Sequence, residues 1–224
     1  MPALSSTRHV SIEEAIRFGW TKTLDNAGLF IPLTLLVIVI YFFFSTNFSF
    51  HFSGQTSQLH PLSTLLQYVF DAAVGLGFAA ISLKVIDQKK PVWNDLLVSD
   101  QYILRYLGAT IIYTIITVAG TILFIIPGVY LSLKYGLFRY FILDKNVGIG
   151  ESFHLSGQAT SGIKLTLIAF YFILGLINVI GFLCLGIGLL ITIPLTILAE
   201  VHVYRQLVAQ MDTPNMPEQS TSVA

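Results

Sequence analysis

Four ionisable side chains lie inside stretches that are otherwise apolar: Asp71, Lys134, Arg139 and Glu200. At the centre of a bilayer each costs about 2.5–3.5 kcal/mol on insertion scales, so a membrane chain keeps such groups for pairing, for packing, or for passage of an ion, a proton or an amphiphile. At 1.5 Å of rise per residue, Asp71 falls about 13 Å and Lys134 about 9 Å below the outer heads of their apolar stretches, where they are placed to meet as an ion pair. Arg139 and Glu200 fall about 6–12 Å from the inner ends of theirs, near His202 and Tyr204, and are placed to form a second pair. Two meanings stay open for these four residues: a polar pathway between helices, or charge pairs that fix helix packing. Arg139 has a third option, because a long side chain near a helix end can snorkel to the headgroups.

Other chemistry has little to stand on. No Walker loop, H-E-x-x-H, G-x-S-x-G or dinucleotide fingerprint occurs, and His9, His51, His60, His154 and His202 are scattered. His51 and His60 share one polar stretch but have no Cys or acidic neighbour, so neither a metal nor any other cofactor is expected. The single cysteine, Cys184, sits in an apolar run; it rules out an intramolecular disulfide and is expected to be a packing residue. No nucleophile, base and electrophile recur at a helical spacing, so an enzyme is not expected. Twelve Lys and Arg balance twelve Asp and Glu, which gives no reason to expect nucleic acid. The partner that composition indicates is the lipid bilayer, with a protein partner unspecified and a homo-oligomer possible.

The elements that must position these residues follow from composition. Of the 224 residues 54% are hydrophobic and only 11% charged, against about a quarter charged in soluble domains. The apolar residues fall in blocks rather than in the interrupted stripes of a soluble helix. A hydrocarbon core about 30 Å thick asks for roughly 20 apolar residues per crossing, and six stretches approach this, near 27–48, 62–86, 102–125, 128–143, 163–181 and 186–208. The fourth is short, follows Pro127-Gly128 and carries Lys134 and Arg139, so a re-entrant or surface helix is its rival. Residues 1–10 read as a flexible arm, 11–208 as one membrane domain and 212–224 as a disordered polar tail. No cleavable signal is expected, since a polar arm precedes the first block and no small-residue cleavage site follows it.

Charge placement orients the spans, because cytoplasmic loops collect Lys and Arg. The loop from Ser45 to Pro61 has neither, whereas Arg8, Arg17 and Lys22 precede the first span and Lys84, Lys89, Lys90 and Arg105 flank the second loop. If the fourth block spans, Lys145, Lys164 and Arg205 also fall inside, and no outer turn carries a positive residue. The expected fold is therefore all-α: an integral membrane bundle of six transmembrane helices with both termini cytoplasmic.

Each pair of spans is preceded by a short amphipathic segment, near 11–24, 92–100 and 149–158, which predicts three helical hairpins, each with a cytoplasmic interfacial helix. In the first, Ser11 and Glu14 form a capping box; Ile12, Ala15, Ile16 and Trp20 share one face, and Glu13, Glu14, Arg17, Thr21 and Lys22 take the other. Trp20, and Trp93 in the second segment, suit the headgroup level as anchors. A threefold duplication would account for the pattern, and so would the need of any hairpin for an entry segment. Pro32, Pro127 and Pro194 fall in or beside spans, where a missing N–H frees a carbonyl, and the glycines of the last two spans read as close helix contacts.

The runs AIRFGWTKTLDNAGLFIPL, IIPGVYLSLKYGLFRYFILDKNVGIGESFHLSGQATSG and GIGLLITIPLTILAEVHVYRQL resemble a broad group of uncharacterised bacterial inner-membrane proteins, related to the membrane domain attached to some glycerophosphoryl diester phosphodiesterases. Their most distinctive parts are Ile126-Pro127-Gly128, Asp144-Lys145 with Glu151 and Ser152, and Ile193-Pro194-Leu195 to Tyr204-Arg205. The resemblance implies a six-helix inner-membrane fold and carries over no residue role, because the group has no agreed activity. A soluble phosphodiesterase domain is not visible, so that chemistry is not implied. Two functions are carried forward: a membrane scaffold or assembly factor gripping a partner through its interfacial helices, and a small transporter or channel lined by Asp71, Lys134 and Glu200.

Overall fold

The computed structural model describes residues 9–50, 61–92, 100–184 and 186–212. These residues form nine helices and no strand: α1 Ile12–Asp25, α2 Ala27–Phe50, α3 Pro61–Ile86, α4 Asp100–Leu123, α5 Ile125–Tyr135, α6 Phe138–Lys145, α7 Ile149–Ala159, α8 Lys164–Leu183 and α9 Leu189–Asp212. Three stretches, Val69–Ile86, Tyr102–Leu123 and Lys164–Leu183, are long and apolar enough to cross a membrane; α1 and α2, bent by 92°, make a fourth if taken as one broken span. The surface agrees with that solvent. On α4, Leu104, Ile111, Ile115 and Ile122 point outward with exposures of 60–79%, and on α8 Leu165, Phe172 and Leu183 do the same. Apolar faces this continuous are untenable on a protein in water and ordinary in lipid, as expected of a helical membrane protein.

α9 is the post around which the rest is arranged. Leu195, Leu198, Ala199, Val201, Tyr204 and Leu207 are all buried, on every side of the helix. α8 runs antiparallel along its first half, with Gly181 against Gly188 and Thr192, Asn178 donating to Thr196 at 2.8 Å, and Tyr171 level with Glu200. α1 runs antiparallel along its second half. Gly19 lies against Leu195 and Ala199, Glu14 accepts from Gln206 at 3.3 Å, and His9 and Gln210 exchange two hydrogen bonds. Of the glycines in the last two expected spans, Gly181 and Gly188 make close contact, whereas a Cβ on Gly175 or Gly186 would meet nothing within 4 Å.

Several expectations need correcting. The fourth expected span, 128–143, is divided: α5 ends at Tyr135 and α6 starts at Phe138, with Gly136 and Leu137, whose ψ is 0°, between them. The cause is burial, because Leu137, Phe138, Tyr140, Phe141 and Ile142 are all inside, more than one face of a lipid-facing helix could hide. α1 begins as expected, with Ser11 Oγ accepting from the Glu14 N–H at 3.3 Å. Its buried stripe, however, is Ala15, Gly19 and Thr23 rather than Ile12, Ala15, Ile16 and Trp20, since small residues at i, i+4 and i+8 let α9 approach. Trp20 stands half-exposed at the edge beside Leu24. His9 and Val10, read as part of a flexible arm, are tied to α9, Val10 being buried. Cys184 is exposed rather than packed, because it closes α8 at the tip of the turn into α9. Trp93, most of the second amphipathic segment, the stretch holding His51 and His60, and the polar tail lie outside the described residues.

Closeness at α1 sets a stability test. A Cβ on Gly19 would stand 2.6 Å from the Leu195 carbonyl oxygen, whereas one on Gly28 meets nothing within 4 Å. Gly19→Ala is expected to cost about 1–3 kcal/mol, seen as a lower thermal unfolding temperature of the detergent-solubilised protein. Gly28→Ala is expected to be neutral or stabilising.

Candidate functional site

The pair placed at the inner ends of its helices is formed. Arg139 Nη2 contacts Glu200 Oε2, joining α6 to α9. Glu200 is 5% exposed, in the most enclosed part of α9, where an unsatisfied carboxylate would be prohibitively costly. It is satisfied by three donors. Besides Arg139, the Tyr140 hydroxyl donates to Oε2 at 3.1 Å and the Tyr171 hydroxyl of α8 donates to Oε1 at 2.8 Å. The guanidinium also lies 5.0 Å from the Tyr140 ring centre. Both residues lie in the first turn of α6, which brings them to α9 together.

Beside the pair lies a cavity of about 440 Å³, walled by α4, α5, α6, α8 and α9. Arg139 and Glu200 both line it, with Tyr106, Thr110, Tyr113 and Tyr171. Arg139 keeps 30% of its side chain exposed, and its Nε has no partner among the described residues; nor has Thr110 Oγ1. Tyr113 donates to the Ser132 carbonyl at 3.3 Å, tying α4 to α5 across one wall. Two apolar lining residues, Val129 of α5 and Ile168 of α8, are each 44% exposed and continue the outer faces of their helices. Tyr171 stands seven residues past Lys164 and twelve before Leu183, or about 10 Å and 18 Å along α8.

The other two candidate charges do not join this site. Lys134 is turned to α7: its side chain runs along Gly157, its ammonium lies 4.9 Å from the Tyr135 ring centre, and its carbonyl accepts from Ser156 and Thr160. The ion pairs among the described residues do not include Asp71 with Lys134. Asp71 lies one helical turn from Gly75, which approaches the Tyr106 hydroxyl of α4.

A second charged cluster closes the far end of α9. Arg205 donates to Asp144 at the end of α6 at 2.9 Å and to both oxygens of Asp87, just after α3, at 2.9 and 3.0 Å. Tyr204 adds a 2.8 Å bond to Asp144. Sequence reasoning missed the tyrosines of the site and this cluster. The available signal was Tyr106, Tyr113, Tyr140 and Tyr171 in apolar blocks, since a tyrosine buried there needs a partner for its hydroxyl. Among the described residues no group of three metal-ligating side chains occurs.

Among the described residues, fold and site together define an all-helical arrangement with three helices, or up to four, long and apolar enough to cross a membrane, and a buried ion pair at a cavity. Set against known protein families, curated proteins and solved structures, the chain finds no match.

The pair is open to a double-mutant cycle. Arg139→Gln or Glu200→Gln alone leaves an uncompensated buried charge and is expected to cost about 3–5 kcal/mol, whereas the double variant should recover most of that loss. Denaturant unfolding in detergent, followed by circular dichroism, measures all three.

Proposed function

We propose that this chain is a bacterial inner-membrane protein that binds a small ligand in the cavity beside Arg139 and Glu200, as a carrier or channel does, and that it is not an enzyme. One observation carries the reading: the buried ion pair lines a void large enough for a ligand, with part of the Arg139 side chain left exposed beside it. A pair kept for packing alone calls for closure around it, since voids beside charged groups forfeit both contact and desolvation. The transport reading keeps Glu200 and gains Arg139, while Lys134, turned toward α7, drops out of the pathway.

The scaffold reading draws less support. It needs interfacial helices with free apolar faces, yet the buried stripe of α1 is taken up by α9, and α7 is packed inward through Ser152, Ser156 and Phe153. The right-angled turn between α1 and α2 still suits a helix that ends at a membrane surface, with Trp20 at headgroup level. Six crossings, three hairpins and cytoplasmic termini remain part of the proposal on sequence alone, from the distribution of Lys and Arg; the Lys164–Tyr130 hydrogen bond, which joins the expected inner head of the fifth span to a residue near the outer head of the fourth, counts against a full fourth crossing. The resemblance to inner-membrane proteins related to the phosphodiesterase membrane domain points to six helices. Asp144 and Tyr204-Arg205, two of its distinctive parts, meet in one cluster.

Cysteine accessibility tests the cavity. In a Cys184→Ala background, Ser132→Cys is expected to react with a small membrane-permeant maleimide at a rate approaching that of native Cys184, and Leu174→Cys, buried against α9, to stay unlabelled. Equal protection of both positions would defeat the ligand-site reading. For topology, a reporter active only in the cytoplasm is expected to work when inserted after Asn146 and to be silent after Ser53.

A further inference from the structure

The groups left free in the cavity identify the chemistry of the ligand. Glu200 has little left to offer, since Arg139, Tyr140 and Tyr171 occupy three of a carboxylate's roughly four acceptor sites and the group is almost wholly covered. A cation or a ligand rich in donors would therefore find little acceptor strength. Arg139 is in the opposite condition. A guanidinium has five N–H donors; one is committed to Glu200 and Nε is enclosed without a partner among the described residues, while the side chain lines the cavity and keeps 30% of its surface exposed. Spare donors on a cation fit an oxyanion, carboxylate or phosphate, which takes planar, charge-assisted hydrogen bonds from arginine.

The walls indicate how such a group arrives. Val129 and Ile168 belong at once to the cavity and to the outer apolar faces of α5 and α8, so the cavity is continuous with the surface that meets lipid. Near that opening Lys164 donates to the Tyr130 hydroxyl at 2.8 Å, with its ammonium 4.1 Å from the ring centre. A positive charge there sits about 10 Å along α8 from the site, and basic residues at a membrane surface gather anionic headgroups. A volume of about 440 Å³ holds a headgroup and the first carbons of a chain, leaving the rest to lie along Ile168 and Phe172.

We propose that the cavity binds the oxyanion headgroup of an anionic membrane amphiphile, entered sideways between α5 and α8 and held by Arg139. This rests on the ligand-site reading above and specifies its ligand. Glu200 then acts as a positioning residue: with Tyr140 and Tyr171 it fixes the guanidinium plane, and its own charge is shielded from the incoming anion by those three donors.

Native mass spectrometry of the full chain in a nonionic detergent tests this with three probes: short-chain phosphatidic acid, the diacylglycerol with the same chains, and inorganic phosphate. Phosphatidic acid is expected to bind at least about tenfold more tightly than diacylglycerol, and equimolar phosphate should not displace it. The Arg139→Gln/Glu200→Gln double variant removes both charges together and is expected to lose about tenfold in affinity. Ile168→Trp, which fills the opening without touching the pair, should weaken binding while leaving the unfolding temperature unchanged. Equal binding of the two lipids, unaltered affinity in both variants, or displacement by free phosphate at equal concentration would each overturn the proposal. If no probe binds while Ser132→Cys is readily alkylated, the oxyanion assignment fails and the ligand site stands.

Discussion

A carboxylate on the most enclosed stretch of the central helix dictates much of the rest. Glu200 can be buried there only because α6 and α8 deliver donors to it, and each delivery constrains an element. For Arg139 and Tyr140 to reach α9, the first turn of α6 must lie against it. For Tyr171 to reach it, α8 must lie along the first half of α9, which brings Gly181 onto Gly188 at the turn. One buried charge thus fixes the positions of three helices, and the space left between them and α4 and α5 is the cavity.

The fold was legible where solvent alone decides. Blocks of apolar residues located α2, α3, α4, α8 and α9 to within a few residues, and the Ser11 cap located α1. Legibility failed where packing overrules solvent. From sequence, the residues of α5 and α6 look like one short span, since an apolar side chain facing protein and one facing lipid are the same residue type. Only the near-complete burial of Leu137 to Ile142 shows that α6 belongs to the interior. The apolar face assigned to α1 was similarly drawn toward its largest residues, while the contact is made by its smallest, Ala15 and Gly19.

The site was half legible. Equal depth from the inner ends was enough to pair Arg139 with Glu200, because helical rise converts residue number into height. The same arithmetic does not give azimuth, which is why Lys134, at a suitable height for Asp71, in fact faces α7. Tyr140, Tyr171, Tyr113 and Thr110 carried no positional mark, since isolated tyrosines and threonines are common in apolar helices and their relevance comes from what stands opposite them. The cluster of Arg205, Asp87 and Asp144 joins residues 118 and 61 positions apart, a relation that no local pattern in the chain encodes.

The seating of α1 has a consequence for how the protein is made. Its partner surface on α9 is nearly the whole described chain away, His9 and Gln210 being separated by 201 positions. At about 5–20 residues per second of synthesis, α1 exists for roughly 10–40 s before α9 emerges to receive it. During that interval the stripe of Ala15, Gly19 and Thr23 has no groove to fill, and the small size of those side chains presents little apolar area to other chains. Docking of α1 is therefore a late act of assembly, one that certifies the last helix is in place, and the hydrogen bonds from His9 and Ser11 to Gln210 and Gln206 fasten the beginning of the described fold to its end.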